Sequence, residues 1–288
     1  MLRLLLSVSL LLPPAIACAQ DRSPGVDSLR DASANVNGVR LHYRIGGHGP
    51  ALVLLHGLTM TGAWWNTLAP NLAADHTVIV PDLRGHGQST NPTGVFRHPQ
   101  VATDIIALLD QLQIREFSLL GHSAGAGVSM HIAARVPDRV RSMMLIAFGH
   151  RVTDGARAIW ANFPSFDSLP PQWRAYYSQI HPGGRGQIDQ VLDYLRHVAD
   201  SLEDVNLPRT LLARVKAPAL IIFGDRDFLP VEIATELYRV LPNAQLWIVP
   251  KTGHTPVWAD WGGNPAAAAT FPAVVQTFFA PSKSTAGQ

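Results

Sequence analysis

The sequence carries a single cysteine, Cys18, among 288 residues, which excludes an internal disulfide framework and a zinc site built on several thiolates. Charge is sparse too: Asp, Glu, Lys and Arg make up 15% of the chain, the formal net charge is +2, and no run of Lys or Arg forms a basic face. Without that face the electrostatic footprint of a nucleic-acid binder is missing, and no nucleic-acid partner is expected. No Walker pattern occurs, no G-x-G-x-x-G follows the first apolar strand, and the histidines show no H-E-x-x-H spacing. The sequence therefore implies neither a nucleotide cofactor nor a metal. The N-terminal apolar run is broken by Pro13-Pro14 and is too short to span a bilayer, so no membrane span is expected.

What the chain does have is apolar residues, 47% of the total, enough for one large core without staples. The first residues read as a secretory leader. Arg3 gives a positive start, Leu4 to Leu12 an apolar stretch, and Ala17-Cys18-Ala19 a small-residue cleavage pattern ahead of Gln20. Cleavage after Ala19 is the expectation, placing the mature chain outside the cell or in a periplasm and leaving it without cysteine. Acylation of Cys18 as a lipoprotein anchor is a second route, although Ala15 fits poorly where Leu is usual.

Beyond a polar stretch from Asp21 to Ser33, short apolar runs alternate with helical patterns, which argues for an α/β fold around a mostly parallel sheet. The predicted strands are Val39–Ile45, Ala51–Leu55, Thr77–Val80, Phe117–Leu120, Met143–Ala147, Ala219–Phe223 and Gln245–Val249. Between Gly149 and Val215 the rhythm stops. That segment is rich in proline and aromatics (Trp160, Phe163, Phe166, Trp173, Tyr176, Tyr177, Tyr194), and Val191, Leu192, Leu195 and Val198 have helical spacing. It reads as an inserted helical cap over the sheet, with the aromatics filling the cap's own core.

One motif carries chemistry. Gly121-His122-Ser123-Ala124-Gly125 follows a predicted strand and opens a helical pattern that runs to about Arg135. At a sharp strand-to-helix turn the serine backbone is strained, and glycines two residues either side remove the Cβ atoms that would clash. A serine hydroxyl is a poor nucleophile unaided, so a base and an orienting acid are required further on. Gly224-Asp225-Arg226-Asp227 and Gly253-His254 each follow a predicted strand, on the carboxyl-end loops where α/β sheets place their sites. His56-Gly57-Leu58-Thr59 follows the strand Ala51–Leu55. There the Leu58 amide can act with that of Ala124 as an oxyanion hole. His56 is expected to pin its loop. His122 adjoins the nucleophile but is not the base, since neighbours on such an elbow point apart; packing is its expected duty, beside the acyl or alcohol pocket. Trp64, Trp65 and Trp258, with Trp261, have two readings of equal weight, as apolar walls of that pocket or as core packing.

Taken together these motifs resemble the α/β-hydrolase superfamily, in its capped esterase and lipase branch. The likeness extends to Pro81-Asp82-Leu83-Arg84-Gly85-His86-Gly87-Gln88-Ser89 and to Pro137-Asp138-Arg139-Val140, and it covers nearly everything after the leader. Behind the leader at 1–19, the resemblance implies an α/β-hydrolase core at 20–149 and 216–288 and a cap at 150–215. It selects Asp227 over Asp225 as the acid, because the family's acid closes a Gly-x-x-Asp turn, and leaves Asp82, Arg84 and His86 in a structural turn. The implied activity is cleavage of a small-molecule carboxylic ester by Ser123, His254 and Asp227 through an acyl-enzyme. Lactonase, amidase, carbon–carbon hydrolase and cofactor-free haloperoxidase activities use the same residues. A binding protein on the same scaffold is the rival from another class. Pro265 and Pro272 fall where the family's last helix runs, so that helix is expected to start late or bend.

Overall fold

The computed structural model describes residues 29–200 and 202–280. The leader expected at residues 1–19, with Cys18, lies outside them. Eight strands form one sheet: β1 (Arg30–Val36), β2 (Val39–Gly46), β3 (Ala51–Leu55), β4 (Thr77–Pro81), β5 (Phe117–His122), β6 (Val140–Ile146), β7 (Ala219–Gly224) and β8 (Ala244–Val249). Their spatial order is β1-β2-β4-β3-β5-β6-β7-β8. β1 pairs antiparallel with β2 and β2 with β4, and every later pair is parallel.

The seven expected strands are present with ends shifted by up to three residues, and β1 is an addition. Its sequence, Arg-Asp-Ala-Ser-Ala-Asn-Val, is largely polar, with half-buried Ala32 and Ala34 and buried Val36 turned to the core. An edge strand needs one lightly apolar face, so hydrophobic alternation is faint there.

Ten helices follow in chain order: α1 (Ala69–Leu72), α2 (His98–Gln111), α3 (Ala124–Arg135), α4 (Asp154–Ala161), α5 (Pro171–Ile180), α6 (Gly184–Asp200), α7 (Leu202–Val205), α8 (Arg209–Leu212), α9 (Val231–Val240) and α10 (Pro265–Phe279). Strand period explains the layering. Val53 and Leu55 pack with residues of α2, α3 and α9, whereas Leu52 and Leu54 pack with α1 and α10 on the opposite face. α10 does not start late: Pro265 takes its first turn, where a missing N–H costs nothing, and Asn264 caps it by accepting from the Ala266 and Ala267 amides. Pro272 lies inside it.

The order β4-β3-β5 sets the site. From β3 the chain moves outward one way to β4 and, after α2, the other way through β5, so the sheet reverses direction between β3 and β5. Loops leaving the carboxyl ends of these two strands diverge and leave a crevice. Ser123 follows β5 and Leu58 follows β3.

Helices α4 to α7 form an insertion between β6 and β7. Leu169, Trp173, Tyr177, Ile188 and Leu192 make a small core of their own, joined by Phe163, Phe166 and Tyr176, with Trp261 reaching in from the main body. The insertion is tied down by polar contacts. Tyr194 Oη accepts from Asn91 Nδ2 at 2.6 Å, and Gln187 Nε2 donates to the carbonyls of Gly85 and Gly87.

Candidate active site

Ser123 joins β5 to α3 with φ 52° and ψ −120°, a conformation that no L-residue adopts without strain. The surroundings enforce it. The Ser123 amide donates to the Ile146 carbonyl at 2.8 Å, and its own carbonyl accepts from Ala126 and Gly127. A Cβ on Gly125 would fall 2.2 Å from the Leu55 carbonyl oxygen, and one on Gly121 would fall 2.5 Å from the Gly125 oxygen. Both glycines are therefore required for α3 to approach the sheet closely enough to hold the turn.

Three side chains from separate loops converge. Ser123 Oγ lies 2.9 Å from His254 Nε2, and His254 Nδ1 lies 2.9 Å from Asp227 Oδ2 and 3.1 Å from Oδ1. Asp227 Oδ1 also accepts from the Leu229 amide at 3.1 Å, and the Asp227 side chain is fully buried, against 25% exposure for His254. A carboxylate has no proton to give, so the imidazole proton sits on Nδ1 and Nε2 faces the hydroxyl with a lone pair. Asp225 is placed differently: its carboxylate accepts from the Thr252 amide at 3.2 Å and fastens the β7 loop to the β8 loop.

Leu58 and Ala124 line the same pocket as Ser123 and His254. Among the described residues neither amide has a hydrogen-bond acceptor. The Leu58 loop is held by buried histidines. His56 Nδ1–H donates to the Gly57 carbonyl at 2.8 Å while its Nε2 accepts from the Leu83 amide at 2.9 Å. His86 Nδ1–H donates to the Arg84 carbonyl, and its Nε2 accepts from the Thr59 amide at 3.4 Å. Burial pushes both histidines below the usual imidazole range, His86 furthest. Each is thus a neutral ring with one donor and one acceptor. His181 of the insertion completes the clamp: Nδ1 accepts from the Gly87 amide and Nε2–H donates to the Thr59 carbonyl, with burial lowering its pKa to about 4.

Asp82 and Arg84 serve the same turn. Asp82 accepts from His42 and from the amides of Gly62 and Gln88, and Arg84 makes a buried two-point bond to Asp104. A turn carrying this much buried polarity is satisfied only when every partner is in place.

The expected pocket walls are corrected. His122, Trp64, Trp65 and Trp258 do not line the cavity at Ser123. Trp64 stacks on the His122 ring at 5.2 Å and meets Trp258 at 4.7 Å and Trp261 at 5.0 Å, while Trp65 is fully buried. The tryptophans belong to the cluster under α1 and α10, on the sheet face away from α3. Burying indole surface there stabilises the fold more than exposing it in a crevice would. His122 Nε2–H donates to the His254 carbonyl at 2.9 Å, steadying that loop, and burial followed by the nearby His254 lowers its pKa to about 3.

The walls are instead Phe148, Trp160, Leu195, Val198, Val205 and Leu229, with His98 and Arg151. Leu195 and Val198 stand in the helical stripe legible from sequence. Phe148 follows β6 and Leu229 follows the Asp227 turn, positions whose side-chain type gave no signal. The space enclosed is about 30 Å³, room for roughly one water.

The comparisons agree with this geometry. A family model described as the alpha/beta hydrolase fold matches residues 50–179. The chain is 30% identical over 243 residues to a pimeloyl-[acyl-carrier protein] methyl ester esterase of Vibrio parahaemolyticus, covering 76% of this chain and 93% of that one. It is 26% identical over 244 residues to a 2-hydroxymuconate semialdehyde hydrolase of Pseudomonas sp., covering 75% and 84%. Among solved structures, an enol-lactonase from Burkholderia xenovorans superposes with a TM-score of 0.68 at 25% identity, covering 86% of this chain and 99% of that one. With the sheet order, the strained serine after β5 and a relative matched across nearly its whole length, the chain belongs to the α/β-hydrolase family and is a hydrolase.

Proposed function

We propose that the protein cleaves carboxylic esters through an acyl-enzyme. The observation that carries this reading is the imidazole of His254 bridging Ser123 Oγ at 2.9 Å and Asp227 at 2.9 Å. His254 takes the hydroxyl proton as Oγ attacks the ester carbonyl, then returns it to the leaving alcohol, and water repeats the cycle on the acyl group. Asp227 keeps the proton on Nδ1 and stabilises the imidazolium. The amides of Leu58 and Ala124 hold the tetrahedral oxyanion, and each is worth about 2–4 kcal/mol of barrier.

The apolar pocket walls favour the neutral acyl or alcohol part of an ester over a charged one. Helices α4 to α7 act as a cap. The pocket at Ser123 is about 30 Å³, smaller than an ester, and movement of the cap would widen it. The test is turnover of p-nitrophenyl esters of increasing acyl length, with lactones and amides alongside, by wild type and Ser123→Ala. Wild type is expected to hydrolyse esters and to be labelled by a fluorophosphonate at Ser123. The variant should lose both while keeping its circular dichroism spectrum, a rate drop of about 10⁵-fold or more. Wild-type rates in the variant, or absence of labelling in folded protein, would overturn the reading.

A further inference from the structure

One polar group on the pocket wall is unused by this chemistry. His98 opens α2 and Asp204 lies in α7 of the insertion, 106 positions away. The Asp204 carboxylate accepts from the His98 amide through Oδ1 at 2.8 Å and from Nδ1–H through Oδ2 at 3.0 Å. Both side chains are 2% exposed. Gly127 makes room for the ring, since a Cβ there would lie 2.8 Å from His98 Cδ2. The remaining ring nitrogen, Nε2, is buried without a partner among the described residues, yet His98 lines the pocket that Ser123 and His254 line. A buried polar atom left unmet is costly, and beside a nucleophile the natural partner is one that comes with the substrate.

We propose that His98 is a specificity residue that recognises a hydroxyl group on the substrate, making the preferred substrates hydroxylated carboxylic esters. This rests on the ester reading above. The polarity of the contact follows from Asp204, which has no proton to donate: in the neutral form of the ring the proton sits on Nδ1 and Nε2 offers a lone pair. A substrate O–H satisfies that lone pair. A methylene or a keto oxygen at the same place does not. Asp204 is the positioning residue, and it couples recognition to the insertion because α7 must be seated for the tautomer to be held.

The experiment measures kcat/KM by proton release for methyl hexanoate, its β-hydroxy and ω-hydroxy derivatives and the matching oxo analogues. Propyl and 2-hydroxyethyl hexanoate probe the alcohol side. Wild type is expected to prefer the hydroxylated ester over its parent at one of these positions by about tenfold or more. The double variant His98→Leu with Asp204→Leu removes both polar groups without stranding either, and should bring that ratio close to one. In Asp204→Asn the amide NH₂ donates to Nδ1 and moves the ring proton to Nε2, which donates to a hydroxyl oxygen and a keto oxygen alike, so the oxo analogue should rise to about the rate of the hydroxy one. That gain for the oxo analogue is a signature a purely structural clamp would not give, and it stands if the double variant fails to fold. Efficient turnover of methyl hexanoate with a flat panel overturns the inference, as does a hydroxy-over-oxo preference unchanged by Asp204→Asn. Wild type that turns over no ester overturns the ester reading and this inference with it.

Discussion

The β5–α3 junction and the helical insertion face each other across one pocket and are built by opposite means. At the junction everything is backbone and close packing: Gly121 and Gly125 leave no space for a Cβ, α3 is buried from Ala124 to Met130, and the strained Ser123 is held by main-chain bonds. The insertion has its own small core and is fastened to the body by side-chain hydrogen bonds from His181, Gln187, Tyr194 and Asp204. Close-packed backbone has few alternative arrangements, whereas polar contacts of about 1 kcal/mol each can exchange with water. On the proposed reading, the difference teaches that one region sets the geometry of the chemistry and the other sets what reaches it.

The sharpest way to break this division is a substitution that spares every contact of the junction but changes one proton. Asp227→Asn keeps the acceptor for Leu229, yet its amide donates to His254 Nδ1 and forces the proton onto Nε2. Ester kcat should fall by about 10⁴-fold with thermal stability nearly unchanged. A loss under tenfold would show that the tautomer is set elsewhere.

Acid tests which region depends on neutral histidines. His122 and His181 have pKa values lowered to about 3 and about 4, and His56 and His86 are also lowered, all by burial first. Each therefore contributes stability that is fully present above the unfolded imidazole value near 6.5 and is lost as pH falls from there toward the folded value. His42 has the opposite sign. Its pKa is raised, chiefly by its bond to Asp82, so its contribution is present below 6.5 and is lost as pH rises through its folded value. His131 and His150 are lowered by burial as well, and together the lowered rings outweigh His42. Urea midpoints should drop between pH 6.5 and 4, by up to about 1.4 kcal/mol per pH unit for each buried ring. Because His181 ties the insertion to Thr59 and Gly87, amide exchange in α5 and α6 should rise with acid before exchange in β5. Uniform exchange across both regions would erase the distinction.

The smallest effect is expected from the insertion's own wall. Trp160→Ala should raise kcat/KM for long-chain esters by about threefold to tenfold and leave acetate esters within about twofold, since half-buried Trp160 lines the pocket. Equal effects on both chain lengths would mean that Trp160 does not limit acyl size.

Strands β3 and β7, the Gly121–Gly125 motif and the loops bearing Asp227 and His254 were legible in the sequence because each is written locally, as a continuous apolar run or a glycine at a fixed offset. β1 was not, because an edge strand demands so little apolar surface that its pattern matches a polar loop. The tryptophans misled for another reason. Trp64, Trp65 and Trp258 are close in sequence to site loops, but the turn Gly62–Trp65 carries its indoles to the α1 and α10 face.

The sequence by itself thus determined the fold class, the strained serine after β5 and the chain order of the residues that gather around it, since strand period and turn chemistry act over a few residues. Tertiary structure alone decided which face of the sheet each aromatic joins, which side chains wall the pocket, and that His98 and Asp204 meet there. Those outcomes depend on contacts between distant segments, Trp64 with Trp261 and His98 with Asp204 among them, and no local pattern records which distant partner will desolvate a given side chain.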